Sequence, residues 1–133
     1  MMATIMESPH AIGAHKRILI ADDEPAILDS LRMILEMEGY EVETIQEGEK
    51  VLPTLGVEPQ PSLLVLDIWM SGHDGREICK AIKAGAATAH IPVIMISASK
   101  DIAASAFAAG ADDMLPKPFE IDAFLNTVRR FAL

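Results

Sequence analysis

Four short apolar runs in this chain each stop on a polar side chain, and that arrangement leaves few folds open. Arg17-Ile18-Leu19-Ile20-Ala21 stops at Asp22-Asp23, and Ser62-Leu63-Leu64-Val65-Leu66 stops at Asp67. Pro92-Val93-Ile94-Met95-Ile96 stops at Ser97, and Asp113-Met114-Leu115-Pro116 stops at Lys117. The first three are too short for helices and too continuous for half-exposed strands, so they read as strands buried on both faces.

Between these runs the apolar residues recur at helical spacing. Pro25 is a good first helical residue, and Ile27, Leu28, Leu31, Ile34 and Leu35 follow as a stripe that Gly39 ends as a left-handed cap would. Tyr40-Glu41-Val42-Glu43-Thr44 alternates as a more exposed strand, and residues 47–55 read as a weaker helix before a loop marked by Pro59 and Pro61. Asp74-Gly75 opens a helix whose inner face is Ile78 and Ile82. Residues 100–109 form an Ala-rich helix closed by Gly110, and residues 120–131 form a last helix with Phe124, Leu125 and Val128 on one face. Five strand–helix units in succession predict an α/β fold: a five-stranded, doubly wound parallel sheet with right-handed crossovers, flanked by five helices.

A chain of 133 residues has the size of one domain. The expectation is a domain over residues 16–133, a flexible N-terminal tail over residues 1–15, and no output domain. With six aromatic residues (one Trp, one Tyr, four Phe), the core has to be built from Ile, Leu, Val, Ala and Met. A net charge of −9 argues against direct nucleic-acid binding, which needs clustered Lys and Arg. No apolar run is long enough for a membrane span, residues 1–15 lack a signal-peptide pattern, and a cytoplasmic location is expected. The single cysteine, Cys79, excludes an internal disulfide and reads as a buried structural thiol.

In open parallel α/β sheets, ligands bind at the carboxyl ends of the strands. Asp22, Asp23, Asp67, Ser97 and Lys117 therefore all fall on one edge of the sheet. Any one of them alone is more often a helix cap or a solvated side chain, but four strand ends carrying such groups together are hard to obtain from capping. Three crowded carboxylates repel unless a cation separates them, and hard oxygen ligands suit Mg²⁺. A carboxylate beside Mg²⁺ can act as a nucleophile towards phosphorus, with Lys117 and Ser97 to hold phosphoryl oxygens.

From about Lys16 to Phe131 the chain resembles the response-regulator receiver domains of two-component signalling. The resemblance rests on Ile18-Leu19-Ile20-Ala21-Asp22-Asp23-Glu24, Leu66-Asp67-Ile68-Trp69-Met70 with Asp74-Gly75, Ile96-Ser97-Ala98, Gly110-Ala111-Asp112-Asp113 and Lys117-Pro118-Phe119. It implies a flavodoxin-like sheet of order 2-1-3-4-5. It implies that Asp67 is the phosphoacceptor, that Asp22, Asp23, Asp67 and the Trp69 backbone carbonyl surround Mg²⁺, and that Ser97 and Lys117 contact the phosphoryl group. It also implies a cis Lys117-Pro118 bond. The partners implied are a sensor histidine kinase or histidine phosphotransfer protein as donor, and a downstream protein on the face of the fourth helix, fifth strand and fifth helix. The chain would be a signalling switch that catalyses only its own phosphorylation and slow dephosphorylation.

Three positions depart from the family pattern. Ser71, with Gly72 next, stands where Pro is common, which implies a looser loop. Trp69 is bulky for its place beside Asp67, where it either shields an acyl phosphate or covers the loop. Met114 stands where the family carries the Tyr or Phe that turns inward with the switch hydroxyl of Ser97. Met114 leaves open a receiver-like interaction module without phosphorylation control. A Mg²⁺-dependent phosphatase would need a general acid near Asp67, and the second position after it is Trp69 instead. The histidines, among them His10, His15, His73 and His90, have no metal-ligand spacing and read as incidental.

Overall fold

A computed structural model describes residues 16–133. The expected tail, with His10 and His15, lies outside the described residues. Strands β1 (Arg17–Ala21), β2 (Glu41–Ile45), β3 (Leu63–Asp67), β4 (Val93–Ser97) and β5 (Asp113–Pro116) alternate with helices α1 (Pro25–Met37), α2 (Val51–Leu55), α3 (Gly75–Ala84), α4 (Ala103–Ala108) and α5 (Ile121–Phe131). The five strands pair in parallel in the order β2-β1-β3-β4-β5. This is the doubly wound, flavodoxin-like sheet that the sequence predicts.

The strands have two buried faces because successive residues point to opposite sides. Leu19 and Ala21 of β1, Leu64 and Leu66 of β3, and Val93 and Met95 of β4 pack with Val51 and Leu55 of α2, Cys79 and Ile82 of α3, and Ala106 of α4. Ile18, Ile20, Leu63, Val65, Ile94 and Ile96 pack on the other side with Leu28, Leu31 and Leu35 of α1 and Phe124, Leu125 and Val128 of α5. Each such aliphatic side chain contributes about 1.5–3 kcal/mol on full burial. Cys79 is wholly buried, as expected, and burial pushes its thiol pKa up. The strand order reverses between β1 and β3, so the helices that follow them leave on opposite faces and a crevice opens between the strand ends.

Local differences from the sequence reading have local causes. Helix α2 starts only at Val51, after a 3-10 turn at Gly48–Lys50. Pro53 has no N–H to close an earlier α-turn, so the α-helix proper begins within a turn of it. The fourth helix is likewise split, into a 3-10 turn at Lys100–Ile102 and α4, with Ile102 at φ −105° and ψ 8° between them. A short antiparallel hairpin, Trp69–Met70 against His73–Asp74, was not expected at all. Its turn residues Ser71 (φ 44°) and Gly72 (φ 88°) both have positive φ, as in the primed turns that suit hairpins. The Ser-Gly dipeptide was the available signal for it.

Gly75 fixes how closely this loop lies against β3. Its N–H donates to the Ile68 carbonyl at 2.6 Å. A Cβ at this position would stand 2.4 Å from the Asp67 carbonyl oxygen and 3.0 Å from the Ile68 Cα, both of them backbone atoms. Gly75→Ala should therefore cost about 1–3 kcal/mol, the usual penalty for overpacking. Urea unfolding checks this, and an unchanged midpoint would contradict the close approach.

Candidate acidic phosphoacceptor site

The parallel register delivers the polar groups to one place. Ala21 pairs with Leu66, Asp67 with Ile96, and Ser97 with Pro116, so the residues at or just past these pairs share the carboxyl edge. Asp22 extends β1 by donating its N–H to the Ile45 carbonyl at 3.0 Å, and Lys117 extends β5 by donating to the Ser97 carbonyl at 2.7 Å. Lys117-Pro118 is cis, as the resemblance implies, and Glu58-Pro59 is cis as well.

Asp22, Asp23 and Asp67 each offer a carboxylate oxygen, and the three oxygens lie within 4.8 Å of one another. Asp22 is 0% and Asp67 6% exposed. The Lys117 ammonium stands among them, 2.8 Å from Asp22 Oδ2, 3.3 Å from Asp67 Oδ2 and 3.4 Å from Glu24 Oε1. Asp22 Oδ1 accepts the Glu24 N–H at 2.9 Å, which sets up the start of α1. Asp22 Oδ2 is buried and has no donor aligned on it among the described residues, so the ammonium reaches it as an ion pair rather than as a well-directed hydrogen bond. A buried carboxylate oxygen left in that state, beside two further carboxylates, fits a hard divalent cation such as Mg²⁺.

The electrostatics follow from this crowding. Burial and the neighbouring Asp22 charge push the Asp67 pKa up to about 6, while Lys117 and the Trp69 backbone N–H pull the other way. For Lys117, burial would lower the pKa, but the close contact with Asp22 and the charges of Asp67 and Asp22 outweigh it and raise it. Ser97 is 5% exposed, accepts the Ser99 N–H at 3.0 Å, and faces the same cleft as Asp67 and Lys117. Trp69 stands at the cleft rim, 63% exposed.

The structure thus brings Asp22, Asp23, Asp67, Trp69, Ser97 and Lys117 together. Met114 is apart from them: half-buried, opposite Met95 in the strand register, and beside Ala103, Phe107 and Pro116 on the surface. The looser loop expected at Ser71 is not found. Its N–H and its hydroxyl both donate to Asp23 Oδ2, each at 3.0 Å. Proline, with φ fixed near −65°, cannot adopt the φ of 44° seen here. His73 Nε2 lies 3.2 Å from Glu49 Oε1 at the surface, outside the acidic cluster.

Arg76 lines the cleft and was missed in the sequence, while its partner Asp74 was read there only as the start of a helix. Asp74 caps α3 by accepting the Arg76 N–H at 2.9 Å, and its carboxylate receives Arg76 Nε at 2.9 Å and Nη2 at 2.7 Å. Arg76 holds the Asp74 carboxyl below the usual range. Its Nη1 reaches Ser105 Oγ in α4 at 3.0 Å, so the guanidinium ties the loop after Asp67 to the fourth helix.

Residues 18–129 match the family model described as the response regulator receiver domain. The chain is 42% identical over 115 residues to the DNA-binding dual master transcriptional regulator RpaA of Synechocystis sp., covering 85% of this chain and 47% of that protein. It is 35% identical to the response regulator MprA of Mycolicibacterium vanbaalenii, over 85% of this chain and 48% of that one. The crystal structure of the receiver domain of NtrX from Brucella abortus superimposes with a TM-score of 0.78 at 35% identity, covering 86% of this chain and 97% of that one.

The fold and the acidic edge therefore define a receiver domain of the two-component type. This chain belongs to the response-regulator receiver family. It spans about half the length of the curated relatives it matches. Among the described residues no helix is long and apolar enough to cross a membrane.

The raised Asp67 pKa makes a signed prediction. Between the ordinary carboxyl value of 3.8 and about 6, the folded protein holds more protons on Asp67 than the unfolded chain does. Stability then falls as pH rises through that window, and the full penalty is present above it. In chelator, Asp67→Asn should stabilise the protein at pH 7 by up to about 3 kcal/mol, at 1.36 kcal/mol per pKa unit, and by almost nothing near pH 4. Urea unfolding at the two pH values checks this. An equal gain at both would contradict it.

Proposed function

We propose that Asp67 accepts a phosphoryl group from a phosphohistidine on a sensor histidine kinase or histidine phosphotransfer protein, in a Mg²⁺-dependent reaction. The observation that carries this reading is the Asp67 carboxylate at the end of β3, crowded by Asp22 and Asp23 and with the Lys117 ammonium 3.3 Å away. An Asp67 oxygen attacks phosphorus, the phosphorus–nitrogen bond breaks, and the leaving imidazole keeps the electron pair and takes a proton. The product is an acyl phosphate on Asp67.

Asp22, Asp23, Asp67 and the Trp69 backbone carbonyl would hold the ion. Bound Mg²⁺ would neutralise charge on the transferring phosphoryl oxygens. Lys117 supplies the protein's own positive charge, and the Ser97 hydroxyl, which accepts the Ser99 N–H, also carries a hydrogen that can be donated to a phosphoryl oxygen. Trp69, exposed on the rim, offers no carboxylate to act as a general acid or base, which disfavours a phosphatase. The domain's own chemistry is then its phosphorylation and a slow hydrolysis of the acyl phosphate.

The switch would be read by a protein partner on the surface of α4, β5 and α5. Two connections run there from the site: Ser97 through the β4–β5 pairing to the neighbourhood of Met114, and Arg76 to Ser105. Met114 is unbranched and flexible, which softens the first route. The charge of −9 disfavours this domain itself as a nucleic-acid contact.

With Mg²⁺ and acetyl phosphate, intact mass should rise by one phosphoryl group. Asp67→Asn or an excess of chelator should abolish the gain. Unchanged incorporation in either case would overturn the assignment.

A further inference from the structure

Asp23 has a weaker structural hold than its two neighbours. Asp22 is sealed in at the end of β1 and Asp67 is nearly so, but Asp23 is only half-buried. Like charges on Asp22 and Asp67 push its carboxylate towards solvent. Its described hydrogen-bond donors are the N–H and the hydroxyl of Ser71, 48 positions along the chain, and both converge on Oδ2 at 3.0 Å. The other oxygen, Oδ1, is thereby left for a ligand from outside the protein.

The backbone serves the same contact. Ser71 has φ 44°, in the left-handed region that a non-glycine residue rarely occupies. That turn aims the N–H and the side chain at one oxygen. The hairpin behind it is anchored by Gly75 N–H on the Ile68 carbonyl and by the Asp74–Arg76 pair. A carboxylate whose second oxygen is hydrogen-bonded is oriented for single-oxygen coordination, and such supporting contacts typically change metal affinity 10–100-fold.

We propose that Ser71 is a positioning residue for the divalent-cation site: its two donors hold Asp23 Oδ2 against the repulsion of Asp22 and Asp67 and present Oδ1 to the ion. The proposal rests on the reading above that this edge binds Mg²⁺. Ser71→Gly removes the hydroxyl while keeping the N–H and tolerating the positive φ. Ser71→Asn restores a side-chain donor in a residue that also tolerates that backbone.

The test is calorimetric titration with Mg²⁺ alone into the original protein, both Ser71 variants and Asp23→Ala. Ser71→Gly should weaken Mg²⁺ binding about 10-fold, the lower end of the range for such supporting contacts. Ser71→Asn should recover most of that loss. In phosphorylation by acetyl phosphate, Ser71→Gly should shift the Mg²⁺ concentration dependence without lowering the plateau, which a general disturbance of the site would not do. Equal affinity in Ser71→Gly overturns the proposal. A loss that Ser71→Asn fails to reverse also overturns it, because loop freedom rather than the donor would then be the cause. If the original protein binds no Mg²⁺, or Asp23→Ala binds it as well as the original, the reading of the edge itself fails and the role of Ser71 goes with it.

Discussion

Lys117 Nζ stands 2.8 Å from Asp22 Oδ2 and 3.3 Å from Asp67 Oδ2, an ammonium placed among carboxylates that the sheet has withdrawn from water. Removing charges from water costs several kcal/mol per ion, and the attraction within one pair barely returns it. Three carboxylates facing one lysine leave the edge short of positive charge. The fold tolerates this because the acids are fixed by backbone that the hydrophobic core already commits. Asp67 is the last residue of a strand buried throughout, and Asp22 continues a strand with four buried positions. The raised pKa of Asp67 is the measure of the tension, and a divalent cation or an arriving phosphoryl group changes its balance.

The loops around the edge are held by polar contacts, each to a different neighbour. Ser71 reaches back to Asp23, Gly75 hydrogen-bonds the Ile68 carbonyl, and Arg76 spans from Asp74 to Ser105 in α4. In the proposed switch, a change in charge at Asp67 would act beside groups already connected to the fourth helix. Arg76 would give that switch a route that bypasses Met114, which lies on the far side of the β4–β5 pairing from the acids and has no side-chain donor. In the proposed switch, the partner surface would be moved by charge and hydrogen bonding more than by the rotation of an aromatic plate.

The strands and the acidic edge were legible in the sequence because their signals are local. Buried parallel strands are short apolar runs, ligand groups sit where such runs stop, and the doubly wound topology places those stops together. Asp22, Asp23, Asp67, Ser97 and Lys117 could all be named on that basis. Ser71 was misread because its role is a pair of hydrogen bonds to a residue 48 positions away, and no local pattern reports such a contact. Arg76 was missed for the same reason, since Ser105 is 29 positions distant. The late start of α2 was readable from Pro53, whose missing N–H sets a limit that apolar spacing alone does not show.

If crowded carboxylates short of positive charge are the constraint, then Mg²⁺ should stabilise the folded protein itself, before any phosphoryl donor is present. The direct measurement is urea unfolding in 10 mM Mg²⁺ and in chelator at matched ionic strength. For a dissociation constant on the order of 1 mM, binding to the folded state alone contributes about 1.4 kcal/mol. The account predicts a gain of that size in the original protein and its loss in Asp23→Ala. Superimposable unfolding curves with and without Mg²⁺ would contradict it.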